Sequence, residues 1–552
     1  MKFSSLFRNT INVVTISLLF FTSVFAQPLP IQWVKQMQGA YSTYATAMAN
    51  DPAGNLYTAI SFAQKMSIGN QSITTNGYTD VCILKTDPAG TIIWHKVITG
   101  ATWQYVQSMA CDAQGNLYLA GNFSGTALFA GTALYTTGGG YDGFLVKMDG
   151  NGIVKWAKSM GGAGSDGVSS VALDHLGNVY TAGAFVDTAF FDAGVSLQSV
   201  GDYDGFVMQS NATDGSLNWI TQLGDANEDI ATNVAADGAG HVYIAGTFSV
   251  GTIIGTSAFT SVGFHDGFLC SLETNMGAVQ WVQHISSTGD QETKAMVVDN
   301  HGDVYTTGNF GGALNYGNSG LVSPGYVSVY LIKNNGATGS PVFVQSFVGT
   351  GNHHNVHAMA YNNSDKLYLT ASFDGSVVVG SNTFVPVGDV DIFLTEMDTL
   401  GNVNWADQKG GVSGDLAYAL SADAFGNIYT GGFFAETMEY GPTTLDMTGS
   451  SGGFMARWGS SSVPTSLVII HNEKDDAHFF PNPFSNKTTL QLANREGFLS
   501  ITIKDMLGKT VYASNTIASE PTISLNALAP GVYSVILIDD RGKSEVQKIV
   551  KE

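Results

Sequence analysis

The chain is poor in positive charge: 23 Lys and Arg stand against 45 Asp and Glu in 552 residues, a net charge of −22. Affinity for nucleic acid rests on basic side chains that neutralise phosphates, so a nucleic-acid partner is excluded. Between Gln27 and Ser460 the only arginine is Arg457, so no arginine triad can be assembled there to grip a substrate carboxylate. Cysteine is nearly absent as well. Three residues, Cys82, Cys111 and Cys270, make no disulfide framework; they read as buried thiols, with a Cys82–Cys111 bridge as the alternative. No stretch after residue 30 has a helical period, and no later run is long and apolar enough for a membrane span. Zinc-protease H-E-x-x-H and phosphate-loop motifs are missing too.

Glycine, by contrast, is abundant, with 66 residues, and it recurs on a period. The phrase Asp-x-x-Gly-Asn-x-Tyr returns at intervals of about 62 residues: DPAGNLY at 51–57, DAQGNLY at 112–118, DHLGNVY at 174–180, DGAGHVY at 237–243, DNHGDVY at 299–305, a degenerate NNSDKLY at 362–368 and DAFGNIY at 423–429. In that turn the Asp accepts backbone hydrogen bonds and the Gly supplies a positive φ. Each unit alternates as four strands; in the third these are 168–174, 178–185, 205–210 and 217–223. Four antiparallel strands per repeat make the blade of a β-propeller.

The ends of the array are out of phase. A fourth strand begins at Trp33, Trp94, Trp156, Trp219, Trp281, Phe343 and Trp405, so the array opens on a fourth strand and closes on a third, 453–458. Residues 31–37 are therefore expected to complete the last unit. The fold class is all-β: a seven-bladed propeller closed by the N-terminal strand, monomeric, followed by a small Ig-like β-sandwich.

Four segments follow. Lys2 and Arg8, an apolar run from 11 to 25, and small residues Val24 and Ala26 make 1–26 a secretory signal peptide, a membrane anchor being the alternative. The propeller is 27–460 and 461–478 a linker. The charge is divided with the chain: the repeat region holds 12 basic against 35 acidic residues, whereas 471–552 holds 9 against 10. The last segment, 479–552, alternates apolar and polar residues around FFPNPF at 479–484, DMLGKTVY at 505–512, APGVYSVILID at 529–539 and a closing basic run, Lys548 to Lys551.

The repeat pattern, with its D-x-F and Trp strands, resembles the SBBP bacterial β-propeller repeat family over about residues 31–460. The tail resembles the type A C-terminal sorting domain of the type IX secretion system. That resemblance implies export in two steps, recognition of 479–552 by the secretion machinery at the outer membrane, and a secreted or surface-attached product.

Strand order puts the Asp-x-x-Gly turns on one face and the long variable loops, such as 123–141 and 185–203, on the other, where binding usually resides. On that second face an Asp recurs with the period: Asp80, Asp142, Asp204, Asp266 and Asp391, with Ser328 and Gly452 in the other two units. One reading is that each Asp caps backbone N–H groups; the other is a ligand or cation site. Asp202 beside Asp204 and Asp389 beside Asp391 have a spacing suited to Ca²⁺, the one cofactor the residues suggest. Asp166, Asp229 and Asp415 add acidity between units. His353, His354 and His357 are weaker metal candidates, because no Cys or carboxylate stands at ligand spacing. The expected function is a secreted binding or adhesion module for a glycan, protein or matrix ligand, with no catalytic residue assigned. The alternative is a polysaccharide-degrading enzyme using carboxylates of the same face.

Overall fold

The computed structural model describes residues 27–459, apart from positions 40, 76, 175, 238 and 363, together with the strands of the tail between 477 and 551 and a few residues beside them. Residues 1–26, expected as a signal peptide, and most of the expected linker lie outside the described residues. Within them the regular structure is strand throughout, as the alternating sequence and missing helical period require.

The repeat unit is a four-stranded antiparallel sheet. In the third unit Gly167–Leu173, Val179–Phe185, Asp204–Ser210 and Leu217–Leu223 pair in chain order. The same meander recurs, for example in Gln104–Cys111, Leu117–Ser124, Tyr141–Met148 and Val154–Gly162. The last unit is assembled from both ends of the array: Asp415–Ala422, Ile428–Tyr440 and Thr443–Trp458 are joined by Ile31–Gly39, which runs antiparallel to Thr443–Trp458 with Lys35 opposite Met455. Pro30 and Gly459 close this seam, the Gly459 N–H donating to the Pro30 carbonyl at 2.9 Å and the Gln32 amide to the Gly459 carbonyl at 2.7 Å. Each first strand contacts the next along the chain, and Asp415–Ala422 contacts Tyr44–Asn50.

The periodic residues explain these sheets. In the Asp-x-x-Gly turn, Asp51 Oδ1 accepts the N–H groups of Ala53 (3.0 Å) and Asn55 (2.9 Å), while Oδ2 accepts the Asn55 side-chain amide at 2.8 Å. The Tyr of the phrase completes the set, Tyr180 and Tyr305 each donating to Oδ2 of their turn Asp at 3.0 Å. The degenerate sixth turn keeps the same cap, with Asn362 Oδ1 accepting from Ser364 and Lys366 at 3.1 Å.

Tryptophan links one unit to the next. The indoles of Trp94, Trp156, Trp219 and Trp281 donate to carbonyls of Gly150, Ala212, Thr274 and Gly336, each in the third-to-fourth-strand turn of the following unit, at 2.8–3.1 Å. Glycine in that turn is required twice. Gly215 has φ +73°, and a Cβ there would come within 2.7 Å of the Trp156 ring. Trp33 makes the same bond to Pro88 at 3.1 Å, carrying the linkage across the ends of the array. Trp405 has no such turn to meet and stacks on Trp458 instead, centroids 6.3 Å apart.

Sheet interiors follow a volume rule that accounts for two cysteines. Gly121, Gly183 and Gly246 pair across the ladder with Phe144, Phe206 and Phe268, and a Cβ on these glycines would lie 2.4–2.9 Å from the facing ring. The first unit inverts the pair, setting Ile60 opposite Cys82. Cys82 and Cys270 are fully buried and all three cysteines are free thiols. Burial pushes Cys82 and Cys111 up to about 12, which makes them poor nucleophiles.

The segments 123–141 and 185–203, expected as open loops, each contain a further hairpin. Thr126–Phe129 pairs with Thr132–Tyr135 and docks on Ile92–Thr99, the outer strand of the preceding unit. Thr188–Asp192, Ala313–Tyr316 and Lys65–Ile68 repeat the arrangement on Val154–Gly162, Val279–Ser287 and Ile31–Gly39. Part of an otherwise unpaired edge is thereby covered, which removes a template for edge-to-edge association. The chain reaches the neighbour by turning through a left-handed residue, Gln64 (φ 59°), Gly125 (69°), Asp187 (59°) or Gly312 (66°), and Val250 (56°) makes the corresponding turn into a hairpin that pairs within its own sheet.

The tail forms a three-stranded sheet (Ala477–Phe480, Lys487–Leu492, Thr522–Ser524) and a four-stranded one (Thr510–Ser514, Phe498–Lys504, Gly531–Asp539, Ser544–Lys551). Ile501, Ile503, Leu525, Tyr533, Val535 and Ile549 are its buried core.

Two stability outcomes follow. Trp33→Phe keeps a ring but loses the donor to Pro88, and is expected to cost about 1 kcal/mol, read as a lower urea midpoint at unchanged slope; an unchanged midpoint contradicts the linkage. Val250 is β-branched, largely exposed and held at positive φ, so Val250→Gly is expected to gain about 1 kcal/mol by relieving that strain, and a loss of stability contradicts it.

Candidate functional site

The recurring carboxylates of the variable-loop face sit where the third strand enters the sheet, and Asp80, Asp142, Asp204, Asp266 and Asp391 are fully buried. Each accepts backbone N–H groups of the loop beside it. Thr137 donates to Asp142 at 2.8 Å, Val200 to Asp204 at 3.0 Å, Val262 to Asp266 at 3.0 Å and Val387 to Asp391 at 2.9 Å; Gly100 donates to Asp80 at 3.1 Å. The fourth strand adds a side chain in three units: Gln222 to Asp204, His284 to Asp266 at 2.8 Å and Gln408 to Asp391 at 2.6 Å. Asp202 and Asp389 are exposed and precede their strands, in loop rather than in the ladder. The alternation that would align them with Asp204 and Asp391 therefore does not operate there.

A second buried position, at the entrance of each first strand, was visible in sequence only as scattered inter-unit acidity. It holds Thr43, Gln104, Asp166, Asp229, Gln291, His354 and Asp415, all 5% exposed or less. Asp166 accepts from Gly162 (2.6 Å) and Val186 (3.0 Å), and Asp229 from Asp225 (2.9 Å). Carboxylate couples to carboxylate at three of these junctions, Asp142 with Asp166, Asp204 with Asp229 and Asp391 with Asp415. Burial pushes Asp80 up to about 6, Asp229 to about 7 and Asp415 to about 8, the Asp391 charge adding to the last.

The three clustered histidines have separate surroundings. His353 is exposed, its backbone N–H donating to Asp374 at 2.9 Å. His354 is buried in the junction position, its Nε2 accepting from Gly351 at 3.1 Å. His357 occupies a β-bulge and bonds Ser372 at 2.9 Å. Bulges at the same point of every first strand bring Thr46, Gln107, Ser169, Thr232, Lys294, His357 and Tyr418 to a central cavity of about 400 Å³. Among the described residues no group of three or more His, Cys, Asp or Glu lies close enough to hold a metal ion.

Sequence reasoning missed a second cavity. Tyr41, Ser42, Tyr44, Ser61, Ala63, Gln64 and Gly77–Thr79 line a space of about 600 Å³ on the variable-loop face. Its lining carries aromatic rings, hydroxyls and an amide but no carboxylate. Two of its tyrosines are exposed, Tyr78 by 69% and Tyr41 by 57%; in the sequence Tyr78 stands two residues before Asp80, where other units carry Asp202, Phe264, Tyr326 and Asp389, and Tyr41 falls in an inter-unit loop.

The raised carboxyls set a pH dependence. Asp80, Asp229 and Asp415 have folded pKa values above their unfolded value, so the native state binds more protons than the unfolded chain over that window. Their contribution is complete below pH about 4 and is lost as the pH rises through 6 to 8. The melting temperature is expected to fall between pH 5 and 8, and Asp415→Asn to flatten the upper part of that slope and raise the melting temperature at pH 8. A melting temperature that climbs over this range contradicts the assignment.

Comparison with known proteins agrees with this architecture. Residues 478–552 match the secretion system C-terminal sorting domain, and residues 218–247 match the SBBP β-propeller repeat. An uncharacterized WD repeat-containing protein of Acanthamoeba polyphaga mimivirus is 25% identical over 227 residues, which are 39% of this chain and only 15% of that relative. Among solved structures, the Dos1 propeller is 9% identical with a TM-score of 0.38, covering 76% of this chain and 94% of that one. The Pan2 WD40 domain of Neurospora crassa is 9% identical with a TM-score of 0.36, covering 76% and 95%. No helix among the described residues is long and apolar enough to cross a membrane. Residues 218–247 thus carry an SBBP β-propeller repeat, and residues 478–552 are a secretion system C-terminal sorting domain, which marks the chain for export through the type IX system to the secreted or cell-surface-attached state.

Proposed function

We propose that the protein is a secreted or surface-displayed binding module, a seven-bladed propeller closed by Ile31–Gly39 whose variable-loop face takes a glycan, protein or matrix ligand. The pairing of Ile31–Gly39 with Thr443–Trp458 supports the closure, and the seven first strands that share the central cavity support the blade count. The three-stranded and four-stranded antiparallel sheets of the tail support an Ig-like sandwich read by the secretion machinery.

The observation that carries binding over hydrolysis is the distribution of carboxylates. A glycosidase needs two carboxyl groups open to the sugar and about 5 to 9 Å apart. Here the coupled carboxylates are buried as caps, while the open cavity at Tyr41 and Tyr78 has no acidic lining. A rigid scaffold with a lined cavity and no acid or base in it is a binding site.

The mature full-length protein is expected to bind at least one member of a panel of glycans and extracellular-matrix proteins, without releasing new reducing ends and with affinity unchanged by EDTA. Hydrolysis of a panel member supports the glycosidase alternative, and loss of binding on chelation supports Ca²⁺ at the Asp202 and Asp389 sites. A chain ending at Val463 is expected to stay in the periplasm; normal secretion of it contradicts the sorting role.

A further inference from the structure

Aromatic residues are spread unevenly over the variable-loop face. Six of them lie in an arc across the last, first and second units, as two runs of rings in contact. Tyr418 meets Tyr44 edge-on at 5.7 Å, and Tyr141 packs 6.5 Å from Tyr105 and 6.4 Å from Trp103. Trp103 and Tyr78 stack at 5.6 Å with their planes 29° apart. The arc starts at the central cavity, which Tyr418 lines, and ends at the 600 Å³ cavity, which Tyr44 and Tyr78 line.

Neither packing nor folding explains the outer end of this arc. Trp103 is 40% and Tyr78 69% exposed, although a Trp or Tyr in a sheet protein ordinarily buries its ring in the core. Single exposed rings are unremarkable, and Phe264 and Tyr326 on the same face are of that kind. A run of rings in contact, flanked by the hydroxyls of Ser42, Ser61 and Thr79 and the amide of Gln64, has a different chemistry. Ring faces carry partial negative charge and attract polarised C–H groups, while the surrounding hydroxyls and amide match a ligand rich in hydroxyl groups. A pyranose offers one face of C–H groups and a periphery of hydroxyls.

Charge narrows the class further. The remainder of the face carries exposed Asp202 and Asp389, together with Asp290 paired with His265 at 2.7 Å and Glu292 paired with Lys294 at 2.8 Å, and no Lys or Arg lines the cavity at Tyr41 and Tyr78. On a chain of net charge −22 this surface repels uronate or sulfated polymers. Resting on the binding function proposed above, we infer that the Tyr418–Tyr78 arc is the ligand site and that it takes an uncharged polysaccharide, laid along the rings from the cavity mouth to the Trp103–Tyr78 stack.

The test uses the full-length mature protein in native affinity gels containing a mixed-linkage β-glucan, a xylan, a galactomannan or alginate, beside a solid-phase assay on matrix proteins. At least one neutral polysaccharide is expected to retard the protein and alginate to leave it unretarded. Trp103→Ala and Tyr78→Ala are expected to weaken retardation by about tenfold or more, with Trp103→Phe retaining most of it and melting temperatures unchanged. Neutral-glycan binding that both alanine variants keep, retardation by alginate alone, or binding to a matrix protein alone overturns the inference while leaving the binding function standing. Failure to bind any glycan or matrix protein overturns both.

Discussion

The fold depends on the hydrogen bond that five fourth-strand tryptophans donate to the turn of the next unit. A four-stranded meander has one hydrophobic face too many to be stable alone, and its neighbours must be held in register to cover it. Trp94, Trp156, Trp219 and Trp281 do so with one indole donor each, aimed at a carbonyl 55 or 56 residues on. The glycine in that turn lets the ring lie flat against the backbone. Trp33 carries the bond from the chain's first strand into the first unit, so the joint between the two ends has the same chemistry as the four that follow it; Phe343 and Trp405 make no such bond at the last two joints.

Around that linkage the periodic polar residues are spent on architecture. The Asp of each Asp-x-x-Gly turn satisfies two backbone donors, in four turns a side-chain amide as well, and the Tyr six residues on donates to the same carboxylate in five units. On the opposite face the buried Asp ring performs the same office for the loops before the third strand. These carboxylates are acceptors for a backbone that has left the ladder and has no water to turn to. What remains free for a ligand is what varies between units, the aromatic arc on one side and the exposed acids on the other.

Much of the scaffold was legible in the sequence. The phase of the Trp and Asp-x-x-Gly phrases alone indicated that residues 31–37 pair with 453–458, because a repeat that opens on its fourth strand leaves one pairing unfilled. Cys82 and Cys270 were recognisable as core residues by alignment with Phe144 and Val146. The hairpins inside 123–141 and 185–203 were not legible, since their strands are only four or five residues long and their partner lies in the preceding unit, where no local pattern reports it. The pairing of Asp391 with Asp415 was hidden for a similar reason: each recurs with the period, but only the packing of neighbouring units brings them together. The aromatic arc draws on Tyr44, Tyr78, Trp103, Tyr105, Tyr141 and Tyr418, of which only Tyr44 and Tyr105 share a position in the repeat, and a search for a ring that returns in every unit passes over them.

Native-state hydrogen exchange on the full-length protein probes the central role of the tryptophan linkage most directly. If the Trp33 bond holds the two ends as firmly as the interior tryptophans hold their units, amides of Ile31–Gly39 bonded to Thr443–Trp458 will exchange only with global unfolding, at the free energy of interior strands such as Val179–Phe185. Early exchange of Ile31–Gly39 while Val179–Phe185 stays protected would contradict it.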